Sequence, residues 1–198
     1  MKYSRCLLLI SLSCLLGISG CATSPPVLPP AGTPASGLVD WEFGGRAVLR
    51  HGKRSWRVDI RWQQHIDEYR VSLMSLLGQQ IARLQGGNGQ VVLDRPGQAS
   101  VTARSPSALL AEEFGWNIPI EGLRYWVLGL PAPDVAEKGQ RDRYGYLRTL
   151  EQQGWQIVFD RYRQADDAWL PGRLTLTRDG LSVRLVIDQW HLARGNFD

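Results

Sequence analysis

The segment WEFGGRAVLRHGKRSWRVDIRW, residues 41–62, decides the fold. Trp41, Phe43, Ala47 and Leu49 alternate with Glu42, Arg46 and Arg50. After His51-Gly52-Lys53 the period of two resumes, with Trp56, Val58, Ile60 and Trp62 set against Arg57, Asp59 and Arg61. Successive side chains of a strand point to opposite faces, so this stretch predicts a hairpin with one apolar and one charged face.

Working outward, Tyr69, Val71 and Leu73 alternate with Arg70 and Ser72 and predict a third strand. Residues 74–79 interrupt the pattern before a fourth strand, Gln80 to Gln85. Gly86-Gly87-Asn88-Gly89 reads as a turn into Val91 and Leu93, and Pro96-Gly97 turns the chain into Ala99, Val101 and Ala103. The first half is thus an antiparallel meander of about six strands. Ser105 is placed as a helix N-cap before Pro106, with Leu109, Leu110 and Phe114 inside and Gly115 as the stop. Ile120, Leu123, Trp126, Val127 and Leu130 recur at three and four residues, which predicts a second amphipathic helix ending at Gly129 and Pro131. From there to Tyr144 the chain is polar and reads as a long surface loop. Strands resume at Tyr146 to Gln152, Trp155 to Phe159, Leu174 to Leu176 and Leu181 to Ile187, with Asp179-Gly180 as a hairpin turn. About ten antiparallel strands interrupted once by two helices predict an α+β domain, a strongly curved sheet with helices covering its concave side.

Upstream of the hairpin the chain changes character. Lys2 and Arg5 precede about ten apolar residues and then Ile18-Ser19-Gly20-Cys21, the layout of a removable export signal that is too short to span a bilayer. Its last four residues resemble the bacterial lipobox, which implies cleavage before Cys21 and lipidation of its thiol and new amine. Ala22 follows where an aspartate would favour the inner membrane, so an outer-membrane anchor through Cys21, with the domain facing the periplasm, is the expectation. Several acyl chains hold far more firmly than one. Residues 1–20 are read as cleaved leader, 21–40 as lipidated N-terminus and tether, and 41–198 as the binding domain. Five prolines, from Pro25 to Pro34, keep the tether from forming a helix.

Losing Lys2 and Arg5 leaves 21 basic against 19 acidic residues, a formal charge of +2, which removes the electrostatic basis for a nucleic-acid partner. Cys6 and Cys14 leave with the leader, so the domain holds by packing rather than disulfides. Catalytic chemistry is not evident. His51, His65 and His191 are isolated, no metal-ligand spacing occurs, and no nucleophile elbow, phosphate loop or dinucleotide fingerprint is present. Arg46, Arg57, Arg61, Arg70 and Arg83 form a ladder on the polar face, for which a lipid-phosphate contact is conceivable but a solvated outer face is the plainer reading.

The eight tryptophans give two readings of the apolar face, a packed core or a cavity that holds an acyl chain. Met74-Ser75-Leu76-Leu77-Gly78 stands where a polar hairpin connection belongs and offers three large apolar side chains. It reads either as a membrane or partner contact or as a continuation of strand three to Leu77.

The lipobox, the proline-rich tether, Trp62-Gln63-Gln64, Leu76-Leu77-Gly78, Ile118-Pro119-Ile120, the run from Leu123 to Pro131 and Gln153-Gly154-Trp155-Gln156-Ile157 together resemble the LolB family of outer-membrane lipoprotein receptors. The resemblance implies an unclosed antiparallel barrel of about eleven strands with a helical lid. It implies a transfer protein rather than an enzyme, monomeric and without cofactor or metal, that accepts acylated lipoproteins from the periplasmic carrier LolA and inserts them into the inner leaflet of the outer membrane. The acyl-chain cavity is placed at Trp41, Phe43, Trp56, Val58, Ile60, Trp62, Val71, Leu123, Trp126 and Val127, and the membrane-insertion loop at Met74, Leu76, Leu77 and Gly78. In that family a proline often precedes the leucine that matches Leu77; Leu76 in its place makes the loop more apolar and less rigid. The alternative is an anchored assembly lipoprotein whose sheet is a protein-binding scaffold.

Overall fold

A computed structural model describes Ala35 and residues 37–192. Cys21, the leader and most of the tether lie outside the described residues. The strands are β1 Asp40–His51, β2 Arg54–His65, β3 Glu68–Met74, β4 Gln80–Gly87, β5 Gln90–Asp94, β6 Val101–Ala103, β7 Glu137–Arg141, β8 Leu147–Gln152, β9 Trp155–Ala165, β10 Ala168–Arg178 and β11 Leu181–Leu192. The helices, α1 Pro106–Phe114 and α2 Ile120–Trp126, fall between β6 and β7.

All eleven strands form one sheet in the order β6-β5-β4-β3-β2-β1-β11-β10-β9-β8-β7, and every pairing is antiparallel. The first and last strands in sequence meet in the middle, while β6 and β7 end the order without pairing to each other, so the sheet is an unclosed barrel. Curvature has a local cause in β1, where the register against β11 shifts between Gly44 and Gly45. A Cβ on Gly45 would stand 2.2 Å from the carbonyl oxygen of Val186, so only glycine lets the strands approach this closely at the bulge. β10 bulges between Pro171 and Arg173, where proline is tolerated because the ladder is already broken.

The inward phase of the strands and the inner sides of both helices make one apolar cluster, with Trp62, Trp126, Trp155, Phe43 and Phe159 fully buried. Helix α1 follows its expectation: Ser105 Oγ accepts from the Ala108 amide at 3.2 Å, and Gly115 ends the helix at φ +72° while donating to Ala111 O. Helix α2 is shorter than its apolar spacing suggests, since the chain turns away after Trp126 and reaches φ +75° at Gly129.

Three expectations are corrected. The polar stretch before Tyr144 is not wholly loop, because Glu137–Arg141 pairs with β8 as an edge strand with every residue exposed. Gly86 and Gly87 belong to β4, and the turn is Asn88-Gly89 alone, both at positive φ. The last strands run longer than their apolar cores, to Ala165, Arg178 and Leu192. The fold also starts slightly before residue 41: β1 begins at Asp40, and Ala35 is buried against the core. Among the described residues no helix is long and apolar enough to cross a membrane, and no three His, Cys, Asp or Glu side chains converge.

Candidate functional site

Ten residues expected on the interior do meet there. Trp41, Phe43, Val58, Ile60 and Trp62 come from β1 and β2, Val71 from β3, Leu123 and Trp126 from α2, and Val127 from the turn after it; all nine are buried in one cluster. Trp56 is half-buried and meets Trp116 edge-on at 5.1 Å, while Trp116 stacks on Phe114 at 5.4 Å. At the other end of β1, Trp41 contacts Phe43, Trp62 and Trp190 at 5.7 to 6.0 Å between ring centres. Side chains thus occupy the space between sheet and helices, and one set of residues serves as core and as apolar lining.

Two buried glutamines, which the apolar pattern did not single out, fix this arrangement. Gln64 Oε1 accepts from the Trp62 indole at 3.2 Å, and its amide donates to the carbonyls of Ile66 and Glu68, which closes the β2–β3 turn. Gln152, 2% exposed, ties the helical layer to the sheet. Its Oε1 accepts from Trp126 Nε1 and the Ala132 amide, both at 2.8 Å, and its Nε2 donates to the carbonyls of Ala132 and Val135 at 2.8 and 3.1 Å. The sequence signal was a polar residue on the inward phase of β8, two after Leu150.

Near the start of β1 a surface groove of about 440 Å³ lies between α2 and the β2–β3 and β4–β5 turns, with Trp62, Tyr69, Ile120 and Tyr125 among its walls. Tyr69 lies over Gly86, where a Cβ would come within 2.2 Å of its ring. Its buried hydroxyl has no hydrogen-bond partner. Burial, and secondarily the charge of Glu121, pushes its pKa well above the ordinary tyrosine value.

The loop after β3 sits at the opposite end, about 17 Å along the strand from Tyr69. β3 stops at Met74, which is half-buried. Ser75 then closes residues 75–79: its amide donates to Gln79 O and its carbonyl accepts from Gly78, both at 2.8 Å, while its Oγ accepts from the amides of Leu77 and Gln79. Gly78 takes φ +77°. Four hydrogen bonds supply the order that a proline would otherwise bring, and Leu76 and Leu77 are left 70% and 88% exposed. They are the most exposed large apolar side chains among the described residues.

On the outer face most of the arginine ladder is engaged. Arg46 holds Asp188 through two nitrogens at 2.8 and 3.0 Å, which raises its own pKa and lowers that of the carboxylate. Arg61 pairs with Glu42, Arg70 donates to Gln85, and Arg83 donates to Gln80. His65 Nδ1 meets Asp40 Oδ1.

Comparison with known proteins agrees with this geometry. The family model described as outer membrane lipoprotein LolB matches residues 39–190. An outer-membrane lipoprotein LolB of Pseudomonas aeruginosa is 38% identical over 197 residues, covering 94% of this chain and 96% of its own. One from Nitrosococcus oceani is 38% identical over 156 residues, 78% of each chain. Among solved structures, a LolA superfamily protein of Nitrosomonas europaea superposes with a TM-score of 0.55 at 7% identity, over 81% of this chain and 89% of its own. A putative outer membrane lipoprotein-sorting protein domain from Vibrio parahaemolyticus does so at 0.55 and 12% identity, over 82% and 89%. These two likenesses are of fold. With all but the last two residues of the strand-and-helix region covered by the family model, the chain belongs to the LolB family of outer-membrane lipoproteins.

Proposed function

We propose that this protein is the outer-membrane receptor that takes acylated lipoproteins from the soluble carrier LolA, shelters their acyl chains between sheet and helices, and releases them into the inner leaflet of the outer membrane. The observation that carries the reading is the pairing of an apolar concave face with Leu76 and Leu77, presented on a closed loop at one end of that face. The half-buried rings of Trp56, Phe114 and Trp116 lie between α1 and the sheet on the side of this loop and offer a route from interior to bilayer. Tyr69, with its unpartnered hydroxyl beside the groove, offers a donor for an ester or amide carbonyl of the cargo's lipidated cysteine.

No residue is assigned a catalytic role. Transfer without a nucleotide must run down a gradient of affinity, from carrier to this interior to the bilayer, and sinking the chains in lipid makes the last step effectively irreversible. Cys21 is the proposed lipidation site. β1 starts at the end of the sheet opposite the loop, and the six residues from Asp40 to Arg46, which lies level with Met74 through Asp59, separate the two by about 20 Å. A proline-rich tether reaching roughly 45 Å would let the loop turn to the membrane that anchors the chain.

The test is Leu77→Glu in a two-stage assay, with acceptance from the carrier read by pull-down and delivery by flotation with liposomes. Burying Leu76 and Leu77 contributes roughly 2 kcal/mol each, or about a thousandfold in membrane partition, and a glutamate reverses Leu77's share. Acceptance should persist while delivery fails. Normal delivery by Leu77→Glu would remove the loop as release element, and lost acceptance with normal delivery would reassign it to carrier docking.

A further inference from the structure

The β1–β2 hairpin carries a cluster of unpaired basic side chains beside the apolar loop. Met74 pairs with Asp59, and β2 runs on from there to Arg54, so the last residues of the hairpin extend alongside residues 75–79. Arg50, His51, Lys53, Arg54 and Arg57 are all exposed. Unlike Arg46, Arg61, Arg70 and Arg83, none of the five forms an ion pair or side-chain hydrogen bond among the described residues. Val48 pairs with Arg57 on one side and Arg184 on the other, which brings exposed Arg184 into the same row. The nearby carboxylates do not neutralise the patch: Asp59 lies opposite Arg46, and Asp179 is held by Arg178 at 3.1 Å.

Arg50, Lys53, Arg54, Arg57 and Arg184 together carry +5, more than the formal +4 of the entire sequence, so the remainder of the chain is net negative. At the other end the β2–β3 and β9–β10 turns carry Asp67-Glu68 and Asp166-Asp167, with Asp67 paired to Arg124 at 3.1 Å, while the β7–β8 turn carries Arg141 and Arg143. The row of unpaired basic side chains lies at the end bearing Leu76 and Leu77.

We propose that this rim is a second bilayer contact, which binds the phosphate headgroups of anionic phospholipids and sets the angle at which the loop enters the membrane. The inference rests on the proposed membrane role of the loop. An apolar tip alone fixes depth but not orientation, whereas a flanking row of guanidinium and ammonium groups holds one side of the sheet against headgroups. Each such charge changes partition to an anionic surface by roughly fivefold.

The experiment uses residues 21–198 with Cys21→Ala, which keeps every residue of the sheet and helices, and reads flotation with vesicles of phosphatidylethanolamine alone or with one third phosphatidylglycerol. Phosphatidylglycerol should increase binding, and 0.5 M salt should abolish the increase. Arg54→Gln with Arg57→Gln should cut binding to the anionic vesicles about 25-fold and leave binding to phosphatidylethanolamine unchanged; Arg54→Lys with Arg57→Lys should restore it. Circular dichroism checks that these exposed substitutions leave the fold intact. Leu77→Glu serves as a separate arm: loss of binding to both vesicle types supports the loop, while binding that persists and still depends on phosphatidylglycerol discards the loop and keeps the rim. Unchanged anionic binding by the double glutamine variant overturns the proposal. So does unchanged flotation with lost acceptance from the carrier, which assigns the rim to protein docking.

Discussion

Replacing Gln152 by leucine removes the link between the helical layer and the sheet with little change in volume. The side chain makes four hydrogen bonds at 2.8 to 3.1 Å and is 2% exposed, so water cannot substitute for it. The variant strands the Trp126 indole N–H and the Ala132 amide; each unpaired buried donor costs about 1–3 kcal/mol. The Val135 carbonyl belongs to an exposed residue and recovers a partner from solvent. Leucine's added apolar burial offsets about 1 kcal/mol, which leaves a net loss of roughly 1–5 kcal/mol. For a chain of this size that is a fall of about 2–20 °C in melting temperature. Urea unfolding measures the loss, and amide hydrogen exchange should rise first in residues 126–135. Trp126→Phe removes one of the same four bonds, so its effect and that of Gln152→Leu should combine to less than their sum. A loss under about 1 kcal/mol, or unchanged exchange in residues 126–135, would refute the latch.

Two further outcomes are expected. Burial pushes the hydroxyls of Tyr69 and Tyr162 above their ordinary value of 10.0, so the folded state keeps protons that the unfolded chain releases. Stability is intact below pH 10 and falls above it, by up to about 1.4 kcal/mol per pH unit for each tyrosine. Tyr162 also donates to Leu147 O at 2.9 Å, whereas Tyr69 has no partner, so Tyr69→Phe should halve the alkaline slope with little cost at neutral pH. Urea midpoints from pH 9 to 11 check this, and a flat profile contradicts it. Separately, Cys21→Ala behind a conventional signal should give a folded periplasmic protein that still accepts cargo; complete loss of acceptance in a purified assay would show that the anchor does more than localise.

The period of two between Trp41 and Trp62 carried the hairpin and the direction of its faces because both strands lie between neighbours and bury one side. The same logic could not find Glu137–Arg141, an edge strand with no buried side chain, whose pairing rests on the backbone alone. It also shortened β10, where Leu170, Pro171 and Gly172 are buried in succession and the bulge breaks the alternation. The ten interior residues were legible as a face, yet sequence cannot separate core from cavity, since Phe43 or Trp62 is equally apolar in either role. The loop was legible from Met74, Leu76 and Leu77 standing at a turn. Its closure by the Ser75 side chain was not, because a serine in a turn has many possible partners.

The central claim is that acyl chains pass between the sheet and its helices. A lipoprotein with a diazirine near the end of an acyl chain, loaded from the carrier onto the wild-type protein and irradiated before liposomes are added, tests it without altering a single residue. Peptide mass spectrometry should then place adducts on the concave face, at positions such as Phe43, Trp62, Val71, Leu123 and Trp126. Adducts confined to Leu76 and Leu77 or to the outer arginine face, from cargo that is nonetheless bound, would contradict it.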